Sequence, residues 1–310
     1  MRNAFVPQLL IEMDKNPDIF FLTADLGFKA LEPIEEAFPK RFLNVGISEQ
    51  HMVGMAAGLA LEGKKVICYS IASFVSMRAY EQIRDDLCYH DLDVKIIGTG
   101  GGYNYASHGV THHTVEDYCL MRVLPGMQVL APAYAWEARE ATKAIMRTRG
   151  LFYMRLGKDP GVHFERTGFS FALGRGYVIR EGKDIVLIST GNVLDIAMKT
   201  AELIEKKYSA SVISMPSVKP LDKKLVEKLA YGAKGIFTIE EHSTIGGLGT
   251  AVGEVLWSRN FPKERFHAFG LPEGKFLKDV GDRDHMLKIA GIESSQLAHH
   301  ILTQMRTVRL

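Results

Sequence analysis

Cysteine is scarce in this chain: Cys68, Cys88 and Cys119 are the only three among 310 residues, and no CxxC pair occurs. That excludes a disulfide framework and the usual spacing of a structural zinc site, and it points to a reducing, cytoplasmic compartment. No uninterrupted apolar run reaches the roughly 18 residues that a membrane span needs. The opening residues, Met1-Arg2-Asn3-Ala4-Phe5, lack the apolar core of a secretion signal. An excess of one charge sign is missing too, since 38 Lys and Arg face 36 Asp and Glu for a net charge of +2. Nucleic acid and acidic membranes need a concentrated basic face, so neither is an expected partner. What the chain does have is apolar residues, 46% of the total, too many for a disordered chain. At roughly 150 residues per domain, its length suggests two domains.

Short β-rich runs alternate with longer amphipathic stretches. Ile19–Thr23, Lys65–Tyr69, Val94–Ile97, Met127–Leu130 and Leu151–Met154 are bounded by Gly or Pro, as buried parallel strands are. Helical patterns fill 49–61, 74–90 and 133–148 between them. After a Gly- and Pro-containing stretch the alternation resumes at Ile185–Ser189, Ser211–Ser214 and Gly235–Ile239. The expected architecture is α/β, with two domains (1–165 and 173–310), each a mostly parallel sheet covered by helices.

Three segments carry candidate chemistry. In Asn44–Ala60, small residues at 54, 56, 57, 58 and 60 allow close packing of a helix that starts near Glu49. Taken alone, Glu49 reads more readily as a helix-start acid favoured by the dipole than as a catalytic group. Ser70–Asp86 follows a strand, so it belongs at the sheet's carboxyl edge, where open α/β folds bind ligands. Its Phe74 is either a stacking surface or core. The third segment, Gly98–His113, is a glycine-rich loop without GxGxxG spacing, followed by His108, His112 and His113. HxxxH serves a metal only on a helix, and Gly109-Val110 opposes one, so no metal site is expected.

Together these segments resemble the transketolase superfamily of thiamine diphosphate enzymes, over nearly the whole chain. Asn44–His51 is similar to the family's catalytic-glutamate segment and Ser70–Arg84 to its aromatic pocket. His108–His113 falls at its D-G-x-x-H-Q stretch. Thr238–His242, Gly246–Gly249 and Val218–Asp222 resemble the C-terminal domain of transketolases and deoxyxylulose-phosphate synthases. The resemblance implies that Glu49 hydrogen-bonds N1′ of the cofactor's aminopyrimidine and so promotes loss of the thiazolium C2 proton. The carbanion then attacks a ketose carbonyl. It also implies that Phe74 stacks on the pyrimidine with Ile71 and Met77 beside it, that His112 assists proton movement, and that Asp25 lies near the thiazolium.

A family GDG motif for the diphosphate is absent, Gly281-Asp282-Arg283 being the nearest approach. The resemblance is therefore to the second subunit of a split transketolase. A separate N-terminal transketolase subunit is expected to hold Mg²⁺ and the diphosphate in an α₂β₂ heterotetramer. Arg2, Lys29, Arg78 and Arg155 match positions that bind a small sugar substrate. His108 and His113 stand where the family has an acid and a Gln, which reverses hydrogen-bond polarity and implies an altered ketose preference. The rival enzyme readings are a 2-oxoacid dehydrogenase β subunit and a deoxyxylulose-phosphate-synthase-like enzyme. A non-catalytic scaffolding homologue is the rival from another class.

Overall fold

The structure, a computed structural model, describes residues 1–27, 30–157, 171–271 and 276–307. The first half runs α1 (Arg2–Lys15), β1 (Ile19–Thr23), α2 (Glu32–Ala37), β2 (Phe42–Asn44), α3 (Glu49–Leu61), β3 (Lys65–Ile71), α4 (Tyr80–Gln82), β4 (Val94–Thr99), α5 (Asp117–Val123), β5 (Gln128–Leu130), α6 (Ala135–Arg147) and β6 (Phe152–Leu156). The second half runs β7 (Tyr177–Arg180), β8 (Ile185–Ser189), α7 (Leu194–Ile204), β9 (Ala210–Ser214), β10 (Ser217–Lys219), α8 (Lys223–Ala230), β11 (Gly235–Ser243), α9 (Leu248–Ser258), β12 (Phe266–Leu271), α10 (Arg283–Ile289) and α11 (Ser294–Thr307).

The strands form two sheets, ordered β10-β5-β6-β4-β3-β1-β2 and β12-β11-β8-β9-β7. Pairing is parallel except at one edge of each sheet, where β10 runs against β5 and β7 against β9. Apolar residues on both faces of a strand explain why each sheet is covered twice. Along β3, Val66 and Cys68 enter one core while Ile67 and Tyr69 enter the other. Along β8, Ile185 and Leu187 face one core, and Val186 and Ile188 face its opposite.

The two-domain α/β architecture is thus as expected from the sequence. The path of β10 was not expected: it leaves the C-terminal half to extend the N-terminal sheet. The halves therefore share a sheet edge as well as a connecting segment, much of which lies outside the described residues. The stretch expected as one helix over 74–90 also departs from a regular helix. Its turns widen to π-helix at Phe74–Arg78 and again at Ile83–Cys88, on either side of α4. Among the described residues, no helix is long and apolar enough to cross a membrane.

Candidate active site

Strands β4, β3, β1 and β2 are neighbours in one parallel array, so their carboxyl ends lie along a single edge. There Asn44, the last residue of β2, accepts hydrogen bonds on Oδ1 from the amides of Asp25 (2.9 Å) and Gly46 (3.1 Å). This joins the ends of β1 and β2 and delivers the chain to the start of α3. Glu49, the first residue of that helix, is 3% exposed. One of its carboxylate oxygens accepts from Ser70 Oγ at 3.1 Å and the other from Arg78 Nη1 at 3.2 Å. Burial of the carboxylate is thereby matched by a hydroxyl, a counter-charge and the helix N-terminus.

Phe74 opens the first widened turn. The Arg78 guanidinium lies over its ring, 3.7 Å from the centroid. His112 meets the ring from the side, with centroids 5.0 Å apart at 63°. π-Helical turns are frequent at functional sites because they displace side chains from regular spacing. Here the wider turn sets Phe74 and Arg78 against each other, with Arg78 also on Glu49.

The three histidines divide. His108 and His112 lie ring to ring at 5.0 Å, with Tyr105 in contact with both. Burial, then the charges of His108, Arg78 and His113, push the His112 pKa below its ordinary value. Its Nδ1 is 3.0 Å from Thr111 Oγ1, which leaves Nε2 for other chemistry. His113 turns the other way, edge-on to Tyr103 at 4.8 Å, and is 6% exposed. Burial lowers its pKa as well.

A cavity of ≈ 370 Å³ adjoins this cluster, lined in part by Phe74, Met77, Arg78, His113 and Leu277. A buried carboxylate, an aromatic face and a neutral imidazole beside it form a donor set suited to a flat heterocycle with a basic ring nitrogen. The residues present therefore fit an aminopyrimidine. Of the other expected residues, Ile71 ends β3 in register with Thr99, outside the cavity lining. Asp25 is exposed at the end of β1, bonded to Asn44 Nδ2 at 3.2 Å. Arg2 faces the buried Tyr69 hydroxyl together with Thr99. Lys29 lies outside the described residues.

Arg155 stands apart from this group. It is 5% exposed, its Nη1 is 3.1 Å from Asp117 Oδ1, and its Nη2 donates to the Glu241 carbonyl at 2.8 Å. Burial, the largest single influence, would lower its pKa, but Asp117, Tyr118, Glu241 and Tyr153 together outweigh it and keep the guanidinium charged. Around it a polar network joins the two halves. Asp117 accepts from Tyr153 Oη at 2.7 Å, and Glu241 accepts from the Tyr103 amide at 2.8 Å and Arg283 Nη2 at 2.7 Å. The expected sugar-binding base is a member of this interdomain network. Two site features escaped sequence reasoning: the Ser70 hydrogen bond to Glu49, and the pairing of Arg78 with that same carboxylate. A serine at a strand end and an arginine 29 residues from its partner give no local signal of contact.

The family description "Transketolase, pyrimidine binding domain" matches residues 1–160, and "Transketolase, C-terminal domain" matches residues 174–296. One of the subunits of an apulose-4-phosphate transketolase from Actinobacillus succinogenes is 33% identical over 304 residues, which cover 96% of each chain. A 6-deoxy-6-sulfo-D-fructose transketolase subunit of a Clostridium species is 32% identical over 313 residues, covering 100% of this chain and 96% of that one. A solved structure described as a split gene transketolase, inactive β4 tetramer, superposes with a TM-score of 0.88 at 35% identity, covering 99% of this chain and 98% of the other. Matched along both of its domains, and alike in length and fold to the second subunits of split enzymes, the chain belongs to the transketolase family.

Proposed function

We propose that this transketolase-type chain is a β subunit that works with a separate diphosphate-domain chain, which holds Mg²⁺, to move a two-carbon ketol unit from a ketose to an aldehyde. The observation that carries this reading is Glu49, a buried carboxylate near the carboxyl edge of the sheet, linked through Arg78 to the Phe74 ring. Glu49 would hold a proton against N1′ of the pyrimidine, and Phe74 would give that ring its stacking face, with Met77 and Ile71 near it. When bound, thiamine diphosphate supplies the electron sink for cleaving a ketose carbon–carbon bond. His112, kept neutral by burial and the positive groups around it, offers Nε2 to take or return a proton. Arg78, His108 and His113 would meet the sugar, and Asp25 the thiazolium side of the cofactor.

Relatives named for apulose 4-phosphate and for 6-deoxy-6-sulfo-D-fructose support the expectation of an altered ketose preference. The β4 relative described as inactive supports the need for a partner, and an α₂β₂ assembly is part of the proposal. A cytoplasmic location accords with three free thiols, Cys68, Cys88 and Cys119.

The test is reconstitution with the diphosphate-domain chain. The chain alone should transfer no ketol unit. The complex with Mg²⁺ and thiamine diphosphate should do so, and Glu49→Gln should lower turnover by at least about 100-fold. Near-wild-type turnover in that variant refutes the assignment of Glu49. A wide preference for xylulose 5-phosphate over every other ketose refutes the altered specificity.

A further inference from the structure

The Glu49 carboxylate and the Phe74 ring face are the two surfaces assigned above to the pyrimidine, and one side chain engages both. Arg78 places its guanidinium carbon 3.7 Å from the Phe74 centroid and Nη1 3.2 Å from Glu49 Oε2. At that spacing the guanidinium is in van der Waals contact with the ring, and no second flat group fits between them. A guanidinium is itself a flat, delocalised group with N–H donors in its plane. It stacks on an aromatic face and bonds a carboxylate sideways, as an aminopyrimidine would.

We propose that Arg78 is a built-in stand-in for the cofactor's pyrimidine, which must swing off Glu49 and Phe74 before thiamine diphosphate can seat there. The proposal rests on the reading of Glu49 and Phe74 given above. The side chain is placed to make this move. Its 47% exposure gives it access to water, and it adjoins the ≈ 370 Å³ cavity into which it can rotate. It sits at the end of the widened turn Phe74–Arg78, so rotation about its own bonds suffices. The arginine end of the pair is half in water, so releasing its guanidinium costs little once the cofactor's ring takes its place on Glu49. In the interval the pair does useful chemistry, because a carboxylate buried as deeply as Glu49 is costly without a counter-charge. Arg78 supplies that charge until the heterocycle replaces it.

The consequence is a lowered apparent affinity. When only a fraction of molecules has Arg78 swung away, the observed dissociation constant is the intrinsic one divided by that fraction. The experiment titrates thiamine diphosphate, with Mg²⁺ and without sugars, into the complex of the full chain and its diphosphate-domain partner. Binding is read by calorimetry and near-ultraviolet circular dichroism. Arg78→Met keeps the stem's bulk and removes the flat charged head, and it should bind the cofactor at least about fivefold more tightly. Arg78→Lys can pair with Glu49 but stacks poorly, and it should fall between the two. The same Met variant, as the free chain, should show a raised His112 pKa by NMR, because the Arg78 charge is one of those that lower it. Cofactor affinity unchanged within twofold, or weakened, in Arg78→Met overturns the proposal while leaving the function intact. Failure of the wild-type complex to bind thiamine diphosphate at all overturns the functional reading, and the stand-in with it.

Discussion

Glu49 is held by its neighbours. A carboxylate 3% exposed keeps its geometry only if both oxygens are held, and Ser70 and Arg78 each hold one. Ser70 is the fixed partner, on a buried stretch of β3, and Arg78 the movable one. Ser70→Ala should therefore loosen Glu49 without unfolding the sheet. A single buried hydrogen bond is worth about 0.5–1.5 kcal/mol, which translates into a loss of up to about tenfold in turnover by the reconstituted complex. Steady-state kinetics on that complex, beside a thermal melt of the free chain, measure the two effects separately. Loss of activity matched by a large drop in melting temperature would instead mark Ser70 as part of the fold. Glu49, Phe74 and His112 could be singled out in the sequence because each sits in a continuous segment whose residue types carry the resemblance. The network around Arg155 was not legible for the opposite reason. The setting of Arg155 depends on Asp117, 38 positions away, and on the Glu241 carbonyl, 86 away, and no local pattern records such contacts.

Among the elements, the strands obey simple rules and the connections between them do not. Ile19–Thr23 and Ile185–Ser189 begin and end where their apolar runs do, and α3 spans Glu49–Leu61 as its composition predicts. Period and flanking glycines were enough there. The widened turns at Phe74–Arg78 were not legible, because an apolar pattern does not distinguish π from α hydrogen bonding. Nor was β10, whose three residues pair across the halves with β5. The loop after β4 shows how tertiary contact dictates a local residue. Gly102 has φ +66°, and a Cβ there would run into the Glu241 side chain, which Arg283 holds by Nε and Nη2 and which cannot yield. Gly126 has φ +70° with nothing within 4 Å of such a Cβ. Both alanine substitutions incur left-handed strain, of order 1–2 kcal/mol, and only Gly102→Ala adds a clash. Thermal or urea melts should show Gly102→Ala losing clearly more stability than Gly126→Ala. Equal losses would mean that the Glu241 pair gives way.

At the scale of the whole molecule, the two halves are joined by apolar residues packed in one core, Tyr103 and Trp136 among them with Leu194 and Leu277, and by a buried polar network in which His242 takes part. It stacks on Tyr118 at 4.8 Å and 17°, accepts the Tyr118 amide on Nε2 at 3.1 Å, and approaches the Ser243 carbonyl with Nδ1 at 2.6 Å. That pattern requires a neutral ring protonated on Nδ1. Burial drives its pKa down to about 4. Between the ordinary value near 6.5 and about 4, the unfolded chain binds a proton that the folded chain refuses. The stability due to neutral His242 is therefore complete above pH 6.5 and is lost as pH falls toward 4, by on the order of 3 kcal/mol in all. Glu240 and Glu137 act in the opposite sense, since burial raises both to about 7. Folded, they hold protons that the unfolded chain releases, and they gain stability as pH falls through the same window. A melt of the wild type alone would mix these contributions, so the informative quantity is a difference. His242→Gln retains an acceptor for the Tyr118 amide and cannot titrate. Urea unfolding of both proteins across pH 4–7 should show the wild type losing ground to the variant steadily as pH falls. A difference that stays flat over that range would mean that the ring accepts its proton in the folded state, and that the seam between the halves is open to water.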